Sequence, residues 1–198
     1  MIDTSPWSKY EEYAPRTPAR KGRWMQTVSG RPYWPSDPRP EDIFIEDVAH
    51  HLAMLCRYTG ACRDHYSVAE HSYHISYLVP RPFAFQGLMH DGPEYVLNDV
   101  NRPAKEDLPD YRALEDLNWR AFARRFGLPY ELDSSVKKMD IAICFAEKAA
   151  VMNPSHLPWG DWGVTEVPKV KIECWDWRAA EKKFLERFYE LTWGKTDG

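Results

Sequence analysis

The sequence predicts an all-α fold: a helical bundle with a proline-rich irregular N-terminal arm. Two observations carry this. Prolines crowd the start of the chain, and after about residue 45 apolar residues recur at helical spacing between recognisable caps and stops. A chain of 198 residues with 43% hydrophobic and 14% aromatic content can bury one sizeable core, so a single domain is expected.

Seven of the sixteen prolines lie within the first forty residues. Each removes a backbone donor and biases its predecessor to extended geometry. Residues 1–42 therefore read as an irregular arm with a short hairpin around 24–33, strapped to the surface by its aromatics. The core follows over 43–152. Val48, Leu52 and Leu55 recur at i, i+4 and i+7, giving a helix over 46–57 that Thr59 and Gly60 end. Ser67 and Glu70 form a capping box, in which hydroxyl and carboxylate each satisfy an orphan backbone donor. The helix they open runs to about 79, where Pro80 and Pro82 stop it. Another is expected over 83–97, and a third over 111–126, closed by Gly127 and Pro129. Asp133 or Ser134 caps the helix that carries Asp140. Residues 153–175 are Pro- and Trp-rich and nonperiodic, hence a loop. A final amphipathic helix over 176–193 turns Ala180, Phe184, Leu185, Phe188 and Leu191 to the core.

Composition also excludes function classes. No apolar run approaches the ~18–20 residues that span a bilayer, so a membrane is not an expected partner. The N-terminus carries an early acid and no apolar stretch of signal-peptide type, so the location expected is cytoplasmic. The net charge of −4 offers nothing global to long nucleic acid. A phosphate-bearing substrate would have to be held by a few local cations or a metal. Cys56, Cys62, Cys144 and Cys174 include no Cys-x-x-Cys and read as reduced, mostly buried thiols.

The chemistry centres on His90-Asp91, an adjacent imidazole and carboxylate. With His71 in the first turn of its own helix and Asp140 on a third, two His and two carboxylates could meet one divalent ion and leave a position open to water. His90 and Asp91, about 100° apart on one expected helix, are close enough to share it. Such a set suits Mn²⁺, Co²⁺, Fe²⁺ or Zn²⁺. Taken singly, each residue is more readily a hydrogen-bonded core group than a ligand. Glu94, three and four residues further on, is placed to act as general base or to support a ligating His. Asp99 could hold a second ion such as Mg²⁺, position water, or make a turn. Glu70 reads as the capping partner alone. Arg57 and Lys105 supply local cations, with Arg63 and Arg102 in reserve.

From about Ile45 to Met152 the chain resembles the HD-domain metal phosphohydrolases, specifically the YfbR-like 5′-deoxynucleotidases and the phage dATP triphosphohydrolases. The resemblance rests on five blocks in order. They read Arg57-Tyr58, Ser67-Val-Ala-Glu-His71-Ser72, His90-Asp91-x-x-Glu94-x-x-x-x-Asp99, Arg102-Pro-x-Lys105, and Asp140. It implies an HD-domain bundle in which His71, His90, Asp91 and Asp140 hold the metal. Glu94 and Asp99 would then be the acid/base and water-handling carboxylates. Arg57 and Lys105 would contact phosphate, Tyr58 would pack on the deoxyribose, and Pro103 would line the base pocket. The family's usual aromatic after the Arg is Trp; here it is Tyr58.

The function expected is metal-dependent hydrolysis of a deoxynucleotide by a homo-oligomer, with dATP cleaved to deoxyadenosine and triphosphate. The alternatives are a 5′-deoxynucleotidase acting on dNMPs and a nucleotide-sensing module without turnover. Tyr58 is expected to favour dATP over ATP, because a ring packed at C2′ leaves no partner for a 2′-hydroxyl.

Overall fold

The computed structural model describes residues 19–160 and 162–193, and the first eighteen residues of the expected arm lie outside them. The described chain is mostly helical, with one two-stranded ribbon. That ribbon is the expected hairpin: β1 (Met25–Gln26) pairs antiparallel with β2 (Pro32–Tyr33), Met25 opposite Tyr33. It is pinned by Asp47, whose carboxylate accepts from the Ser29 amide at 2.9 Å and hydroxyl at 2.8 Å. The aromatics divide. Tyr33 is buried and donates its hydroxyl to Asn118 at 2.7 Å, whereas Trp24 stays 57% exposed.

Helix α1 spans Ile45–Met54, ending before the expected residue 57 because Leu55 turns extended. Helix α2 spans Val68–Leu78, with Ser67 accepting from the Glu70 amide as its cap. One expected helix is not continuous. Residues 83–97 hold α3 (Ala84–Met89) and α4 (Glu94–Leu97), joined by a turn through His90, Asp91, Gly92 and Pro93. Pro93 has no amide to continue the α3 ladder. Gly92 is forced by packing, since a Cβ there would lie 2.0 Å from Phe122 Cζ. His90 and Asp91 thus share a turn rather than a helix face.

Helix α5 (Arg102–Glu106), absent from the sequence reading, is capped by Asn101, which accepts from the Ala104 amide. Helix α6 spans Pro109–Phe126 and stops at left-handed Gly127, φ 66°. Helix α7 spans Ser134–Val151 behind the Asp133 cap, and α8 spans Trp177–Trp193. Helices α1, α2, α3 and α8 pack on one another, and α7 crosses α2. Ala180, Phe184 and Phe188 of α8 are buried in the main core, with Leu185 and Leu191 partly buried against it. The segment between α7 and α8 has no helix or strand among its described residues.

The capping box closes only by half. The Glu70 carboxylate does not return to the cap but accepts from the amides of Glu173 (2.9 Å), Cys174 (3.1 Å) and Trp175 (2.8 Å). A fully buried carboxylate is satisfied by three backbone donors, and the end of the long loop is thereby fastened to α2. The cysteines are free, as expected, but only Cys144 is buried; the other three are partly exposed. No described helix is long and apolar enough to cross a membrane.

Candidate metal centre

His71 on α2, His90 in the α3–α4 turn and Asp140 on α7 come together, and Asp91 of the same turn lies beside the two imidazoles. His71 Nε2 lies 3.3 Å from His90 Nε2, 3.3 Å from Asp140 Oδ1 and 3.5 Å from Asp91 Oδ2. His90 Nε2 lies 3.2 Å from Asp91 Oδ2 and 3.8 Å from Asp140 Oδ1. Ligand atoms about 2.0–2.3 Å from a common ion lie roughly 2.8–3.8 Å from one another in octahedral or tetrahedral geometry. The observed separations fall in that range.

The outward nitrogens fix what the inward ones present. His71 Nδ1 lies 2.6 Å from Glu147 Oε1, and His90 Nδ1 lies 2.9 Å from the Gly87 carbonyl. Both partners are acceptors, so both Nδ1 atoms carry the proton. In its neutral form each ring then aims an Nε2 lone pair at the centre, beside the carboxylates. Two imidazole nitrogens and carboxylate oxygens meet there, a group that could hold a cation. The surrounding carboxylates favour positive charge at the same place. Burial opposes charge on His90, yet Asp91 and Asp140 outweigh it and raise its pKa well above the usual value. Burial and Arg57 likewise oppose charge on His71, but Glu147 and Asp140 leave its pKa raised. Despite their burial, Asp91 and Asp140 are held below the ordinary carboxylate range by the two imidazoles. His71, His90 and Asp140 each offer one ligand atom within 4.8 Å of the others and could hold a metal ion, and Asp91 lies next to both imidazoles. The donor set is compatible with several divalent metals and selects none.

Glu147 was missed in the sequence. It sits on α7, seven residues and two helical turns after Asp140, fully buried. It accepts from His71, from Tyr66 at 2.7 Å and from Tyr58, and pairs with Arg57 at 3.3 Å. Burial would raise its pKa, but Arg57 and His71 hold it well below the ordinary range. The i, i+7 spacing from Asp140 was the available signal, unconvincing without the fold that turns this face toward His71.

Around the cluster the other candidate residues take distinct places. Arg57 is buried, with Nη1 3.6 Å from Asp91 and Nη2 against Glu147, and its Nε has no partner among the described residues. Tyr58 lies beside it in a left-handed conformation, as does Thr59, and its hydroxyl goes to Glu147. Glu94 is buried with Oε2 unpartnered among the described residues. Burial first, then the charges of Asp91 and Asp99, raise its pKa well above the ordinary value, and burial likewise raises that of Asp99. Lys105 is held 2.7 Å from Glu115, a partner not anticipated, and 3.8 Å from Glu94. Pro103 is exposed in the first turn of α5. Arg63 donates to the carbonyls of Ala150 and Met152 and caps the end of α7. On the far side a cleft of about 330 Å³, lined by Trp119, Tyr130, Val136 and Lys137 among others, opens onto His90 and Asp140.

No family model matches the chain. It is 35% identical over 125 residues to the uncharacterized protein YfdR of Escherichia coli strain K12, a match covering 63% of this chain and 70% of that protein. It is 39% identical over 128 residues to an uncharacterized protein of Rhodobacter capsulatus, covering 60% of this chain and 65% of the relative. At that identity and coverage, the chain belongs to the same family as YfdR of Escherichia coli.

Proposed function

We propose that this protein is an HD-domain metal-dependent phosphohydrolase acting on deoxynucleotides, with dATP hydrolysed to deoxyadenosine and triphosphate. The observation that carries the reading is the grouping of His71, His90 and Asp140 with both outward imidazole nitrogens already bonded; Asp91, beside both imidazoles, would be the fourth ligand. When bound there, a divalent ion supplies Lewis-acid polarisation of a phosphoryl oxygen and neutralises developing charge.

The chain's own groups do the rest. Glu94, buried and with one oxygen free of partners, accepts the proton of the attacking water. A bond forms from that water oxygen to the α-phosphorus, and the bond from phosphorus to the 5′ oxygen breaks. Asp99, also held at a raised pKa, can return a proton to the leaving 5′ oxygen. Arg57 fixes the orientation of Asp91 and Glu147 and places its positive charge beside the position a phosphate would take. Tyr58, anchored through its hydroxyl, presents its ring where the sugar would pack.

A 5′-deoxynucleotidase acting on dNMPs is the second reading. It is favoured by the commitment of Lys105 to Glu115, which leaves less free positive charge beyond the α-phosphate. The test is turnover of dNTPs, NTPs and dNMPs with Mn²⁺, Co²⁺, Zn²⁺ or Mg²⁺, with products separated by chromatography. The proposal expects triphosphate and deoxyadenosine from dATP, and dATP preferred over ATP by about 10–100-fold. Equal rates on ATP and dATP would remove the sugar role of Tyr58. Phosphate from dAMP without triphosphate from dATP would select the nucleotidase.

A further inference from the structure

We propose that Arg102, laid against Trp162, is a second anion-binding position that takes the outer phosphates of a triphosphate, and that Trp162 is its positioning residue. This rests on the nucleotide reading above and extends it to Trp159 and Trp162 of the late loop, which the family resemblance does not reach.

The cations expected to serve phosphate are largely committed. Arg57 faces Glu147 and Asp91, and Lys105 faces Glu115 and Glu94. Arg102 differs: among the described residues its guanidinium makes no hydrogen bond and no ion pair, and its one recorded partner is an aromatic face. Its Cζ lies 4.6 Å from the centre of the Trp162 ring. That ring is itself held. Trp162 stacks on Trp159, with centroids 5.4 Å apart and planes 23° apart, and Lys148 of α7 lies 4.8 Å from the Trp159 ring centre. Phe145, on the same helix, meets both rings edge-on. The result is a layered stack of cation, ring, ring and cation that bridges α7 to α5.

A guanidinium on an aromatic face keeps its N–H donors free in the ring plane, because the ring occupies only the face of the fork. It is also preorganised, so less side-chain entropy is lost when it binds an anion. The stack leads back to the metal cluster by two routes. Trp159 meets the Tyr58 ring at 5.8 Å, and Tyr58 shares Glu147 with His71. Arg102 begins α5 one turn before Lys105, which reaches Glu94, and the preceding Asn101 donates to Thr59 at 3.2 Å. Arg102 is therefore one helical turn from Lys105, on the same face of α5, within reach of phosphates that extend past Lys105.

The experiment uses the full chain and inorganic probes, so that binding is read apart from turnover. Tripolyphosphate and phosphate, each with equimolar Mg²⁺, are titrated by tryptophan fluorescence into wild type, Arg102→Gln, Trp162→Leu, Trp162→Phe and the Arg102→Gln/Trp162→Leu pair. Arg102→Gln is expected to weaken tripolyphosphate at least about tenfold, the scale of a charge-assisted contact. Trp162→Leu should weaken it about three- to fivefold. Trp162→Phe, which keeps a ring under the guanidinium, should retain most of the affinity. The double variant should match Arg102→Gln alone, because Trp162 acts through Arg102. The ratio of KM for dATP to KM (or Ki) for dAMP should rise in parallel. No tripolyphosphate binding by wild type, or unchanged binding in Arg102→Gln, would overturn the proposal even if dATP is hydrolysed. Arg102-dependent binding in a protein that turns over no nucleotide would uphold the anion position and overturn the nucleotide reading.

Discussion

The two sides of the candidate centre are built differently. The ligand side stands on long regular elements: His71 on α2 and Asp140 on α7, with only His90 and Asp91 in a turn. Its imidazoles are oriented by buried acceptors, and its backbone carries no left-handed residue. The side facing Tyr58, Asp99 and Arg102 is irregular. Tyr58 and Thr59 are both left-handed, and Asn98 has φ 67°. A left-handed β-branched residue such as Thr59 costs about 1–2 kcal/mol and persists only when its surroundings impose it. One side is built on regular helices with buried partners. The other holds backbone strain and loops, where, on the proposed reading, substrate selectivity could change with little effect on the candidate ligands.

Variants can break or sharpen that contrast. Asp140→Ala should have the largest effect. It removes one hard ligand and its charge, and metal occupancy of the purified protein should fall to background by elemental analysis. Full occupancy would show that Asp140 is not part of the ion's shell. Glu94→Gln should keep the ion and lose kcat by about 10²–10⁴-fold, the scale of a general base. The pH profile supplies the sign. Only the carboxylate accepts a proton, so wild-type kcat should fall as pH drops through the raised pKa of Glu94. The variant should lack that acid limb. Loss of metal in Glu94→Gln would move this residue to the ligand side.

Glu147→Gln should be smaller. It removes the carboxylate that orders His71 and balances Arg57, and metal affinity should fall about 10–100-fold in a competition titration. An unchanged affinity would mean that helix geometry alone aims His71. Thr59→Gly is the mildest. Glycine relieves the left-handed strain, so stability should rise by no more than about 1 kcal/mol by chemical denaturation, with metal occupancy intact. If occupancy fell, the strained turn would belong to the ligand frame and the contrast between the sides would dissolve.

Glu70 and Glu147 show how far the sequence could be read. Glu70 had a local explanation, a capping box, and the local explanation was incomplete. Its carboxylate serves three amides more than a hundred residues away. Glu147 had no local explanation at all, yet it organises His71, Tyr58, Tyr66 and Arg57. The continuous helix expected over 83–97 failed for the same kind of reason. Gly92 is set by the approach of Phe122, thirty residues away in sequence, which no periodicity within that segment records.

By itself the sequence determined what local rules govern. It placed the cap at Ser67, a cap at Asp133 or Ser134, the stop at Gly127, the N-terminal hairpin and the buried face of the last helix. Spacing and residue chemistry are sufficient there, because the partners lie within a turn or two of each other. Tertiary structure alone decided which carboxylate orders His71, which cations are already paired, and that two tryptophans of the late loop lie over Tyr58 and Arg102. Those outcomes depend on which helix faces meet when the core closes. A buried charge or ring takes whatever partner the packing brings within reach, however far away in sequence that partner lies.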